Sequence, residues 1–157
     1  MYVPHGRPRQ ISMLALRVVI GAMAMGLIVF TAIFVGVLKP TPSPAGSPVL
    51  VYAPFGFFAV SAVMSVVLRQ AFLAGWRKSL AGADKDDPRL LQTYARATLL
   101  SGAMFEGPGF FGLIVYMVTG DMLPLVVVPL AIVALALVFP TQMAFDNFRD
   151  ACGVRVR

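Results

Sequence analysis

Four apolar runs, separated by polar and proline-containing segments, lay out this chain. Residues 18–38 carry no charge and read as a spanning helix, being too long for the apolar core of a signal peptide. A second run over 49–68, with Tyr52 and Pro54 at its start, follows the linker KPTPSPAGSP, whose prolines forbid a helix. The third run, 97–119, belongs to a helix that starts before the membrane. Asp87 is placed to cap it and Pro88 to occupy its first position, so RLLQTYARATLL leads into the apolar part. Gly120-Asp121 makes a tight turn, and the fourth run, 122–140, is punctuated by Pro124, Pro129 and Pro140. The pattern predicts an all-α fold, a polytopic transmembrane bundle of four helices over 18–140. Residues 1–17 and 141–157 are tails. Residues 69–96 form the one long polar loop, which opens as an amphipathic continuation near the lipid surface with Trp76 as its interfacial anchor.

Composition agrees with that plan. Fifty-nine per cent of the residues are hydrophobic and 13% charged, with a mean hydropathy of +0.83. A soluble domain of this size could not hide so much apolar surface. The net charge of +6 falls between the runs, so it marks topology and contacts with anionic lipid; no nucleic-acid motif accompanies it. Every Lys and Arg except Lys39 lies in the N-terminal tail, in 69–96 or in the C-terminal tail. The positive-inside rule therefore puts both termini and the long loop in the cytoplasm. A lone Cys152 and a lone His5 offer neither a disulfide nor a metal site, and no nucleophile stands beside a base. Neither an enzyme activity nor an organic cofactor is expected.

The third run holds the chemistry. Glu106 sits near its middle, followed at once by Gly107-Pro108-Gly109. An acid at that depth costs roughly 2.5 kcal/mol or more, which makes it a candidate functional group by default. Gly102, Glu106 and Gly109 share a helical face on which small residues let a neighbour come close. Pro108 has no N–H to offer the Met104 carbonyl, so a carboxyl and a free carbonyl lie within one turn. A helix broken at 107–109 would present both to a cation. No basic residue within the span can pair with the acid, which leaves a proton or Na+ as its partner; Thr31, Ser61 and Ser65 are its expected neighbours by depth. Ala22 and Gly26, four apart on the first helix, form a second small-residue pair for helix packing or self-association. The phrases GAMAMG (21–26) and GAMFEG (102–107) share a pattern, as do RQAF (69–72) and TQMAF (141–145), which points to two tandem helical hairpins.

The stretch Glu106-Gly107-Pro108-Gly109-Phe110-Phe111-Gly112-Leu113-Ile114-Val115 resembles the carboxylate-bearing helix of the proteolipid (c) subunits of rotary ATPases. In those helices an acid is followed by a proline, a glycine and an aliphatic run, and Arg69-Gln70 looks like the Arg-Gln of that family's polar loop. The resemblance implies an oligomeric ring that binds an ion at Glu106. As a whole the chain also resembles small four-helix bacterial membrane proteins with an E-G-P phrase in the third helix and Pro-Thr after the fourth, a likeness that implies no activity. The expected function is a proton- or cation-binding membrane subunit, embedded in the lipid bilayer as a homo-oligomer or part of a larger complex. The alternative is a structural or accessory protein in which Glu106 only locks helix packing.

Overall fold

A computed structural model describes residues 12–38, 40, 48–80 and 87–152, without the side chains of 73 and 76–80. His5 and most of the N-terminal tail, nearly all of the Pro-rich linker, Asp84 to Asp86, the end of the C-terminal tail and the Trp76 side chain lie outside the described residues. Helix α1 (Met13–Gly36) starts where Ser12 accepts a hydrogen bond from the Ala15 amide at 3.1 Å. Helix α3 (Pro88–Thr119) is capped by Asp87, which accepts from the Arg89 amide at 2.8 Å. It ends on Gly120, whose φ of 71° and amide bond to the Tyr116 carbonyl form the left-handed cap that glycine accepts at least cost. Among the described residues there is no strand.

Helix α2 (Pro48–Leu80) runs for 33 residues without interruption. The amphipathic continuation is therefore part of the second helix itself. Nothing in RQAFLAGWRKSL stops a helix: it has no proline, and Gly75 costs only about 1 kcal/mol. At 1.5 Å per residue α2 is about 50 Å long, well beyond the ~30 Å apolar slab.

The last apolar run is shorter than the 122–140 expected. Asp121 accepts from the Leu123 amide at 2.8 Å and starts a 3-10 turn, Leu123–Val126. Helix α4 (Val127–Leu137) follows with only 11 residues. Pro124 and Pro129 are tolerated because each stands in an opening turn, where its missing N–H would have no partner. Pro140 ends the run, and helix α5 (Gln142–Ala151), capped by Thr141, leaves at 66° to the axis of 123–137. Three helices are long and apolar enough to cross a membrane, and Leu123–Leu137 with α5 makes a fourth candidate if that bent pair is one span. The two expected hairpins are not alike: α3 packs on α4 whereas α1 and α2 each pack on α3 and, among the described residues, have no comparable contact with each other, and α2 is three times as long as α4.

Helix α3 is the hub, touching every other element. Half of its apolar stretch is buried, against 11% for α1 and 17% for α2. The outer faces of α1 and α2 carry exposed Val, Ile, Leu and Phe, the surface that lipid contact requires. Two apolar clusters hold the bundle. One joins Leu27, Phe105, Ala131 and Leu135 at mid-height. The other joins Leu16, Leu90, Tyr94, Phe148 and Cys152 where α1 and α3 begin and α5 folds back. Tyr94 lies between Phe145 and Phe148, with ring centroids 5.3 and 5.4 Å away. Arg17 Nε donates to the Pro140 carbonyl at 3.0 Å and ties the bend between α4 and α5 to α1.

Candidate functional site

The stretch Gly102–Tyr116 packs closely on its neighbours, and its glycines set the spacing. A Cβ on Gly102 would meet Ile20 Cδ1 at 2.8 Å, and one on Gly109 would meet Leu27 Cδ2 at 2.9 Å and Ala131 Cβ at 3.1 Å. One on Gly112 would stand 2.7 Å from the Pro124 carbonyl oxygen. The bare surface of α3 thus receives the large side chains of α1 and the start of the last apolar run. Gly102, Gly109 and Gly112 all face these contacts. Ala22 and Gly26 do not serve this contact. Ala22 is exposed and nothing lies within 4 Å of a Cβ built on Gly26, because α1 docks through Leu16, Ile20 and Leu27 instead.

The helix does not break at Gly107-Pro108-Gly109. Helix α3 is continuous from Pro88 to Thr119, with Pro108 buried inside it. Neighbours hold both flanks of the Met104-to-Pro108 gap, since Phe105 packs on Phe58 and Phe111 on Phe57, each pair 6.0 Å between centroids. A Cβ on Gly107 would lie 3.7 Å from the Phe57 ring. The missing hydrogen bond at Met104 therefore costs one bond, not the helix.

Contacts on either side fix the direction of Glu106. One turn earlier Gly102 meets Ile20 and Met23; one turn later Gly109 meets Leu27 and Phe110 meets Phe30 at 5.3 Å. Glu106 is bracketed by these contacts and so lies along the rim of the α1–α3 contact, abreast of the α1 turn that contains Gly26. It is partly buried, and none of the hydrogen bonds or ion pairs of the described residues reaches its carboxyl. The one ion pair among the described residues joins Arg149 to Asp146 at 3.2 Å on α5.

Its three expected neighbours part company. The Thr31 hydroxyl donates to the Leu27 carbonyl of its own helix at 2.6 Å and lines an apolar groove between α1 and α4. Ser61 and Ser65 are buried on α2, which packs on the other side of α3. Ser65 lines a cavity of about 220 Å³ with Arg69, Tyr94, Thr98 and Ser101. Phe105 lines it too, and the walls facing these groups are apolar, from Leu137, Val138, Phe139 and Phe148. The Tyr94 phenol lies beside Thr98, with Arg69 and Arg17 near enough for their charge to act on it. Glu106 lines neither the groove nor the cavity. Tyr94, Thr98 and Ser101 recur at helical spacing in YARATLLS, a polar stripe that the lead-in to an apolar span does not require.

No grouping of three or more His, Cys, Asp and Glu side chains suited to a metal ion occurs among the described residues. Comparison with protein-family models, with curated proteins and with solved structures finds no match for this chain.

Proposed function

We propose that this is a four-span protein of the bacterial inner membrane, both termini cytoplasmic, in which Glu106 binds and releases a proton or a monovalent cation such as Na+. The observation that carries the reading is the carboxyl itself. It lies midway along an apolar helix, partly buried, with no hydrogen bond or ion pair from the described residues. A charged group in lipid demands a partner, and the rim of the α1–α3 contact leaves its outer side open to one. A proton or small cation satisfies that demand without a second side chain. The Met104 carbonyl, short of a helical partner, is a second oxygen on the adjoining turn.

The topology rests on the charge pattern together with the cluster in which α1 and α3 begin and α5 folds back. The same end of the molecule bears Arg17, Arg89 and Arg149, as the positive-inside rule asks of a cytoplasmic face. A homo-oligomer, or a place in a larger membrane complex, is supported by the open surface at Ala22 and Gly26, where a second copy could approach closely.

The test is labelling of native membranes with a hydrophobic carbodiimide, read by mass spectrometry of the peptide that holds Glu106. Exchange predicts labelling that falls as Na+ is added, or as pH is raised until the reactive protonated acid is depleted. Labelling indifferent to both would refute it. Glu106→Gln should leave the oligomer intact; a variant that dissociates would make the acid a lock between copies.

A further inference from the structure

The cavity between α2, α3 and the bend before α5 is built for a ligand that the Glu106 reading does not need. Three of its polar side chains are more than nine-tenths buried: Ser65 at 7% exposure, Thr98 at 6% and Ser101 at 8%. Neither Ser65 nor Ser101 has a hydrogen-bond partner among the described residues, and both line the cavity. Each hydroxyl is therefore free to donate to, and accept from, a molecule that enters the cavity. Arg69 is the single charged residue of the lining, it is exposed, and it forms no ion pair among the described residues. It therefore marks the opening, and no acid in the lining opposes it.

Ser65 lies one turn from Arg69 on α2 and Thr98 one turn from Tyr94 on α3, so of the hydroxyls only Ser101 stands well away from the charge. Tyr94 stands with Arg69 toward the opening, while Ser101 lies seven residues deeper, about 10 Å at 1.5 Å per residue. One compact oxyanion cannot meet both ends. A guanidinium offers a fork of donors that fits phosphate, whereas serine and threonine hydroxyls, each donor and acceptor, fit other hydroxyls. The space of about 220 Å³ equals roughly seven waters at ~30 Å³ each, and the walls opposite are hydrocarbon and aromatic. We propose that this cavity binds a phosphoglycerol group, its phosphate at Arg69 and Tyr94 and its polyol among Thr98, Ser101 and Ser65. The group can arrive as free glycerol phosphate or as the head of an anionic phospholipid from the leaflet on that side; the recognition chemistry is the same.

Isothermal titration calorimetry on the detergent-purified full chain tests this with glycerol 3-phosphate, inorganic phosphate, dihexanoyl-phosphatidylglycerol and dihexanoyl-phosphatidylcholine. Glycerol 3-phosphate should bind about tenfold more tightly than inorganic phosphate, and the phosphatidylglycerol about tenfold more tightly than the phosphatidylcholine. Binding of both glycerol compounds assigns a free or a lipid source equally; binding of the lipid alone assigns the membrane. Arg69→Gln is exposed and Thr98→Val is isosteric, so both should fold, as checked by circular dichroism melts. Each should weaken binding about tenfold. The proposal is overturned if neither glycerol compound beats its control. It is also overturned if Thr98→Val and Ser101→Ala bind like the parent, since the ligand would then sit on the basic surface and not in the cavity.

Discussion

Replacing Gly112 with alanine would place a methyl group 2.7 Å from the Pro124 carbonyl oxygen and 3.6 Å from Val127 Cβ. Ordinary contact starts near 3.4 Å, so the turn after α3 must move by about 0.7 Å. What blocks the methyl is backbone, held in the 3-10 turn by the Asp121 bond to the Leu123 amide, so no side chain can swing aside. Overpacking of this kind costs about 1–3 kcal/mol, less about 1 kcal/mol gained by exchanging glycine for alanine within a helix. A net loss of about 0–2 kcal/mol follows, toward the upper end because the obstacle is backbone. Gly102→Ala is the internal control. Its methyl would meet only the tip of Ile20 at 2.8 Å, with Met23 at 3.5 Å, and a flexible side chain can yield. There the helical gain should cancel most of the clash, leaving the variant within about 0.5 kcal/mol of the parent. Equilibrium unfolding in mixed micelles, followed by circular dichroism, measures both. If Gly112→Ala proves as stable as the parent, or Gly102→Ala loses as much, then the close approach of α3 to the following turn is not what fixes the hairpin.

Other outcomes follow from named contacts. Arg17→Met keeps the apolar stem but removes the donor to Pro140, and should cost about 1 kcal/mol with faster hydrogen exchange confined to 141–152. Phe148→Ala empties one side of the Tyr94 stack and should cost about 3 kcal/mol, read as a lowered unfolding midpoint. Thr141→Ala removes the cap of α5 at the Ala144 amide and should cost about 1 kcal/mol, freeing α5 to proteolysis while the spans stay protected. Gly26→Leu fills the open space beside the α1 turn abreast of Glu106 and should slow carbodiimide labelling of that residue severalfold with no loss of folding.

Helix starts and stops were legible wherever the chain carries a chemical signal for them. Asp87-Pro88 opens α3 and Gly120 closes it because a cap and a left-handed glycine act locally. The all-helical class and the membrane-scale apolar runs were equally plain. Rotation about a helix axis was not. The stretch around Glu106 is apolar almost all round, so no periodicity says which side meets α1 and which meets α2. Only the contacts of Gly102, Gly109 and Phe110 reveal that the acid turns toward α1 and away from Ser61 and Ser65. The expected break at Pro108 failed for a related reason: tolerance of a helical proline depends on Phe57, Phe58 and the other groups packed around it, which lie far off in sequence. The brevity of α4 could have been argued from Pro140 and Pro124, but hydropathy alone overextends a run to its last apolar residue.

The cluster that unites Leu16 with Phe148 and Cys152 sets an order of events during synthesis. Its Leu16 wall is made on α1 and its Phe148 and Cys152 wall only after α2, α3 and α4, so synthesis must pass residue 152 before that layer can shut. Until then the first three helices can sit in the bilayer as a half-built assembly, with the Tyr94 ring lacking its two aromatic companions. A truncation that removes only α5 would arrest maturation at that stage, long after membrane insertion is complete.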